Sequence, residues 1–244
     1  MKEEKQYTEG ISLKENRFLV WLDNYWYHYK WVTIVVAFFL IVFSICIIQS
    51  CTSTPTDILV TYAGPVSLKA DEKVNIEKVL SKNLPESFGE SKEAHAGLSS
   101  YYLLSKEQIE NVEKQTDADG YKIYVDRSFN TNEQDSFESQ LMTGSGSVLL
   151  IDRWIYDSFM DSSGKTERLV PLSETLGQAP EGAIGAYGIR LGDTELYKNN
   201  PQLQALPADT VLCLHSKILG QKNYDKEIEA FKAFAKIAEN SDEK

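Results

Sequence analysis

Hydrophobic positions fall into one long unbroken run and a series of short ones, and that contrast predicts most of the architecture. The long run is Trp31 to Ile48, WVTIVVAFFLIVFSICII, without charge, proline or glycine. At about 1.5 Å per residue it reaches roughly 27 Å, close to a hydrocarbon core of about 30 Å. Thirteen of its residues are Val, Ile, Leu or Phe. Each favours insertion by about 0.3–0.6 kcal/mol, on the order of −5 kcal/mol together. No face of the run is polar, which predicts a transmembrane helix over 31–49 and not an amphipathic core helix. Just before it, Phe18, Trp21, Leu22, Tyr25, Trp26 and Tyr29 recur at helical spacing. This predicts an interfacial amphipathic helix over 18–30. Trp21, Tyr25, Trp26, Tyr29 and Trp31 would set their rings at the acyl boundary and their polar tips near water, so the lipid bilayer is an expected partner. His28 sits among these rings as an interfacial residue.

Short runs of strand length follow. Asp57–Tyr62 (DILVTY), Gly97–Leu104, Tyr121–Val125, Ser147–Asp152 (SVLLID), Ala183–Leu191 and Thr210–Leu214 read as strands. Between them, helices are predicted from Asp71 (Val74, Val79 and Leu80 inward), from Ser105, over Asn132–Met142 (Phe137 and Leu141 as the buried pair) and over Asp225–Ala238. In the last, Ile228, Phe231, Phe234 and Ala235 form the apolar face. Leu169–Leu172 is expected to pack back on the core. Strands apolar on both faces and alternating with helices imply a sheet covered on both sides. The expected organisation is a cytoplasmic disordered tail (1–17), the interfacial helix (18–30), the span (31–49), a polar linker (50–56), one three-layer α/β domain (57–240) and a disordered C-terminus (241–244).

Charge adds a topology. The first 30 residues hold five basic and five acidic groups, whereas the part after the span holds 20 basic and 31 acidic, the whole of the net −11. Arg17 and Lys30 lie just before the span, and the first basic residue after it is Lys69. Orientation follows nearby Lys and Arg, which predicts a single-pass cell-membrane protein with its N-terminus cytoplasmic and its domain extracytoplasmic. So acidic a domain, without clustered Lys and Arg, argues against nucleic acid as a partner. Three cysteines make no disulfide framework; a Cys51–Cys213 bridge is the one pairing open to the domain. Ile48-Gln49-Ser50-Cys51 loosely resembles a lipoprotein signal box, which makes Cys51 a candidate for lipidation, although Gln49 and the long leader fit an uncleaved anchor better.

Candidate chemistry is sparse. Gly144-Ser145-Gly146-Ser147 lacks the Lys-Ser/Thr of a P-loop and precedes a strand, so it reads as a turn; Gly182, Gly185 and Gly188 fit a loop and a closely packed strand. After the span the histidines are His95 and His215, and there is no HExxH, GxSxG or CxxC. No catalytic residue, metal or cofactor is therefore expected. A ligand on an open α/β sheet binds outside the carboxyl ends of its strands, and those ends carry Tyr62 and Gly64, Asp152 and Arg153, and Arg190. Asp152 and Arg153 are adjacent and would face opposite ways; the plainer reading makes Asp152 a helix cap and leaves Arg153 solvated.

The segment FESQLMTGSGSVLLIDRWIYDSFMDSSGKTERLVPL, from Phe137 to Leu172, orders a helix, a glycine turn, a strand ending in Asp, an aromatic helix and a Val-Pro-Leu stretch. In that order it resembles extracellular solute-binding proteins of transporters. From YWYHYKW through TYAGP to YGIRLGDTELYKNNPQLQALPADTVLCLH, the chain also resembles a group of uncharacterised single-span Gram-positive membrane proteins. The first resemblance implies a domain like one lobe of a periplasmic-type solute-binding protein, with the residues after the strand approaching a ligand cleft. The roughly 190 residues beyond the span supply about one lobe, so a facing jaw would have to come from elsewhere.

The expected function is a membrane-anchored extracytoplasmic binding or protein-interaction module without catalytic activity, taking a membrane or envelope protein as partner or a small solute as ligand. A transporter-associated solute receptor is the alternative. An envelope hydrolase is a third reading, which needs His95 or His215 to meet a carboxylate or a Ser.

Overall fold

The computed structural model describes residues 17–52, 56–85, 88, 94–160, 163–164, 166–180, 182–221 and 223–237, with backbone alone for 17–20, 22–23 and 48–52. The chain divides into two compact units, Met1–Thr54 and Pro55–Lys244.

The first unit is one helix, α1 (Arg17–Thr52), of 36 residues. Within it Asn24–Ile47 is long and apolar enough to cross a membrane, and none of that stretch is buried by the rest of the protein. The sequence pattern predicts two helices divided at Lys30 and a linker from Ser50. Instead the helix is continuous and runs to Thr52, because no Gly or Pro interrupts 17–52. Aromatic stacking runs along it, with Trp21 on Tyr25 and Tyr25 on Tyr29 at centroid distances of 5.6 and 5.3 Å. Backbone at Cys51 is helical; its side chain, and hence the lipidation reading, lies outside the described residues, as do the tail, the linker at 53–55 and the end from 238 onward. Cys213 is a free, buried cysteine, so the Cys51–Cys213 bridge does not form.

The second unit is mixed α/β. Its strands are β1 (Ile58–Gly64), β2 (Ala96–Tyr102), β3 (Val148–Ile151), β4 (Ala183–Ile184), β5 (Gly188–Arg190) and β6 (Val211–Leu214). Its helices are α2 (Ala70–Lys82), α3 (Lys106–Glu113), α4 (Arg127–Thr143), α5 (Arg153–Phe159), α6 (Leu172–Leu176), α7 (Glu195–Asn199) and α8 (Tyr224–Phe234). One six-stranded sheet has the order β2-β1-β3-β6-β5-β4. β1 pairs parallel with β2 and β3, while β6 pairs antiparallel with β3 and β5, and β4 antiparallel with β5.

Period-two alternation sends the two faces of each strand into different cores. Val60 and Tyr62 of β1, Leu150 of β3 and Leu212 of β6 face one core, completed by Ile76 and Leu80 of α2 and by Phe231 and Phe234 of α8. Ala63, Leu149, Ile151, Val211 and Cys213 face the other, completed by Phe137 and Leu141 of α4 and Ile155 and Tyr156 of α5. Helices on both faces bear out the covered sheet expected from strands apolar on both sides.

Local signals explain the helix ends. Glu72 accepts the Lys69 N–H at 2.8 Å at the start of α2. Ser105 and Gln108 form a reciprocal capping box on α3, and Asp126 accepts the Phe129 N–H at 3.0 Å on α4. Gly144 closes α4 in the left-handed conformation.

Four expectations need correction. Val74 is exposed and Ile76 takes the buried position in α2. Tyr121–Val125 is no strand: a single bridge, Thr116 to Lys122, closes a tight connection in which Asp117 accepts the Asp119 and Tyr121 N–H groups. Ala183–Leu191 is a short hairpin, β4 and β5, and not one strand, since Gly185 adopts a positive φ and turns the chain. The final helix ends at Phe234, four residues early.

Candidate functional site

β5 runs in the same direction as β1 and β3, so the carboxyl ends of these strands share one end of the sheet. Register sets Ala63, Ile151, Val211 and Arg190 in one row across β1, β3, β6 and β5. The sequence-derived residues Tyr62, Gly64, Asp152 and Arg153 gather there on neighbouring strands, while Arg190 lies three strands from β1, about 14 Å away at ordinary strand spacing.

The fold uses most of these groups. Tyr62 is fully buried and its hydroxyl accepts the Val66 N–H at 3.2 Å; burial raises its phenol to about 12. Gly64 lies against that ring, where an added Cβ would come 2.8 Å from the Tyr62 hydroxyl. Asp152 caps α5 by accepting the Trp154 N–H at 3.1 Å, and its other oxygen accepts from Gln108 Nε2 at 3.1 Å. Arg153 is exposed and donates from Nε to Asp157 at 2.9 Å, one turn along α5. Arg190 is exposed.

Nor do the histidine rings form a catalytic pair among the described residues. Asp57 accepts the backbone N–H of His95, not its ring. His215 keeps Nδ1 at 2.9 Å from the Ser216 carbonyl oxygen, and burial lowers its pKa. No group of three metal-ligating side chains occurs among the described residues.

A cleft opens instead at the amino ends of β1 and β3. It measures about 390 Å³ and is lined by Thr56, Asp57, Leu59, Gly144–Gly146, Gln221, Asn223 and Glu227. Its floor is the turn that sequence reading treated as a plain connection. Gly146 has φ +79°, and a Cβ there would meet Thr61 Oγ1 at 2.6 Å and the Leu59 carbonyl at 2.9 Å, so only glycine fits. Thr61 donates to the Gly146 carbonyl at 3.2 Å and accepts from Gln140 Nε2 at 2.7 Å. Gln140 in turn accepts from the Tyr101 hydroxyl.

Glu227, only 5 % exposed, is the buried one of the two carboxylic residues in this lining, the other being Asp57. Its carboxylate accepts the Ser147 N–H at 3.1 Å and Gln221 Nε2 at 2.8 Å. Gln221 Nε2 also donates to Ser147 Oγ at 2.7 Å. Burial raises the Glu227 pKa, and the donors from Ser147, Gln221 and Gly146 oppose the rise without cancelling it. Among the described residues the cleft thus offers carboxylate, amide, hydroxyl and carbonyl groups. Such a lining suits a small polar ligand. The sequence concealed this site because its glycines read as a turn and Glu227 falls in a run of ordinary helix-surface acids; only the fold brings residues about 80 apart together.

A second surface feature is the connection between α3 and α4, where Tyr121 is 72 % and Tyr124 81 % exposed, with Phe129 half-exposed beside it in sequence. No family model, no curated protein and no solved structure matches the chain.

Proposed function

We propose that this chain is a membrane-anchored binding module: α1 holds it in the cell membrane with the N-terminus cytoplasmic, and the α/β domain outside captures a ligand and does not transform it. The observation that carries the reading is the polar cleft at the amino ends of β1 and β3, built around buried Glu227. The small ligand is polar. A transporter-associated receptor is the form of this reading in which a second lobe, from a partner, covers the cleft.

The test is thermal melting of the full-length protein in detergent against sugars, amino acids, organic amines, peptides and metal ions. A ligand at about 100 times its Kd stabilises the folded state by about 2.7 kcal/mol. A rise in Tm is expected with at least one polar compound and is diminished by Asp57→Asn. No rise with any compound overturns the small-ligand reading, and a turnover activity abolished by one substitution overturns the binding reading. Exposed Tyr121 and Tyr124 favour a second reading, a protein partner, because Tyr is enriched at interfaces. Crosslinking through a photoreactive residue at Tyr124 tests it: a discrete adduct is expected, and none counts against it.

A further inference from the structure

The sheet has one long open edge. β4, at one side, is two residues long, whereas β2, at the other, has seven. In its parallel ladder with β1, alternate residues of β2 turn their N–H groups away from β1. These outward positions are Ala96, Leu98, Ser100 and Tyr102, with Leu104 continuing the alternation just past the strand. A row of outward donors of this length is a template for another strand.

Four of the five donors are already taken by side chains. Ser81 Oγ accepts from Ala96 at 2.9 Å and Glu77 Oε1 from Leu98 at 2.9 Å. Glu133 Oε2 accepts from Tyr102 at 3.3 Å. Asn130 meets Leu104 at two points, accepting its N–H at 2.9 Å and donating to its carbonyl at 3.1 Å, as a neighbouring strand would. Glu77 and Ser81 are one turn apart on α2, and Asn130 and Glu133 one turn apart on α4. These helices pack on opposite faces of the sheet, yet both reach round to the same edge. Only the Ser100 N–H is left without a partner among the described residues.

We propose that Glu77, Ser81, Asn130 and Glu133 form an edge lock, which occupies the donors an added strand needs and so keeps β2 from pairing with β2 of a second copy. A second copy is the relevant intruder because β2 is the only edge long enough to accept a strand of matching length among the described residues. An incoming strand must displace each acceptor and leave two carboxylates without their donors. Glu77 and Glu133 flank the single open position, so they also set negative charge on both sides of it.

The test measures the mass of the full-length protein in detergent by size-exclusion chromatography with light scattering. Glu77→Ala/Asn130→Ala/Glu133→Ala is expected to shift the protein from the wild-type mass to a dimer or larger species. Adding Ser100→Pro is expected to reverse the shift, since proline in the middle of an edge removes a donor and obstructs strand addition without breaking a ladder bond. A triple variant that is folded by circular dichroism and keeps the wild-type mass overturns the proposal, as does association that Ser100→Pro leaves unchanged. Hydrogen exchange on the wild-type protein tests the lock without any substitution. Slow exchange at Leu98, Tyr102 and Leu104 with fast exchange at Ser100 is expected. Protection of Ser100 equal to its neighbours would mean that something else covers the edge, and the lock is then not what closes it.

Discussion

Glu227 shows how one residue's environment changes its chemistry. In sequence it is one of several acids on the last helix; in the fold it is buried and tied to Ser147 and Gln221. Glu227→Ala leaves those donors buried and unmatched, which costs about 1–3 kcal/mol or more, measured by chemical denaturation. The pH dependence has a definite sign. Burial raises the carboxyl above its unfolded value of 4.5, so the folded state binds the proton more tightly than the unfolded state. That contribution is complete below 4.5 and is lost as the pH rises through the folded value. The Tm of the wild type relative to Glu227→Gln is therefore expected to be higher at about pH 4 than at about pH 7; the opposite trend would contradict the burial argument. Tyr62 and Asp152 make the complementary point. As side chains at strand ends they look like ligand groups, but Tyr62 accepts a backbone N–H and Asp152 caps α5. Sequence alone states what a group can donate or accept, not what has already met it.

At the scale of elements, periodicity was a faithful guide where an element is long or apolar on both faces. β1, β3 and β6 fall within two residues of their expected limits; α4 begins five residues earlier than expected, at Arg127, but Phe137 with Leu141 is the buried pair that i, i+4 spacing implied. Misreadings cluster where local signals compete. Gly185 turned one expected strand into a hairpin, and the Asp117 turn replaced another. Val74 and Ile76 are two apart on α2 and so face opposite ways, and Ile76 is the one that shares a face with Val79 and Leu80 at i+3 and i+4, a spacing that was legible in the sequence. Phe231 of α8 anchors one core beneath the sheet and is 1 % exposed. Phe231→Ala is expected to destabilise the protein by about 3–5 kcal/mol, read from the denaturation midpoint at unchanged slope. A loss under about 1 kcal/mol would mean that α8 contributes little to the core.

For the whole molecule, both hydrophobic cores lie within the Pro55–Lys244 unit, and every residue in them comes from 58–237. Removing residues 1–54 is therefore expected to leave a soluble domain with the same Tm to within a few degrees. The intact chain is expected to stay with membranes through alkaline washing, because Asn24–Ile47 is apolar and covered by nothing else. A domain that unfolds without the helix would refute the division. What the sequence by itself determined was the single apolar helix, the mixed α/β class and the two-faced burial of the strands, since each is a property of contiguous residues and their period. Tertiary structure alone decided the strand order, the turning of the sheet at β6, the closed β2 edge and the cleft around Glu227. Those features join residues dozens of positions apart, and they depend on which buried donors find which acceptors, a matching that no local pattern encodes.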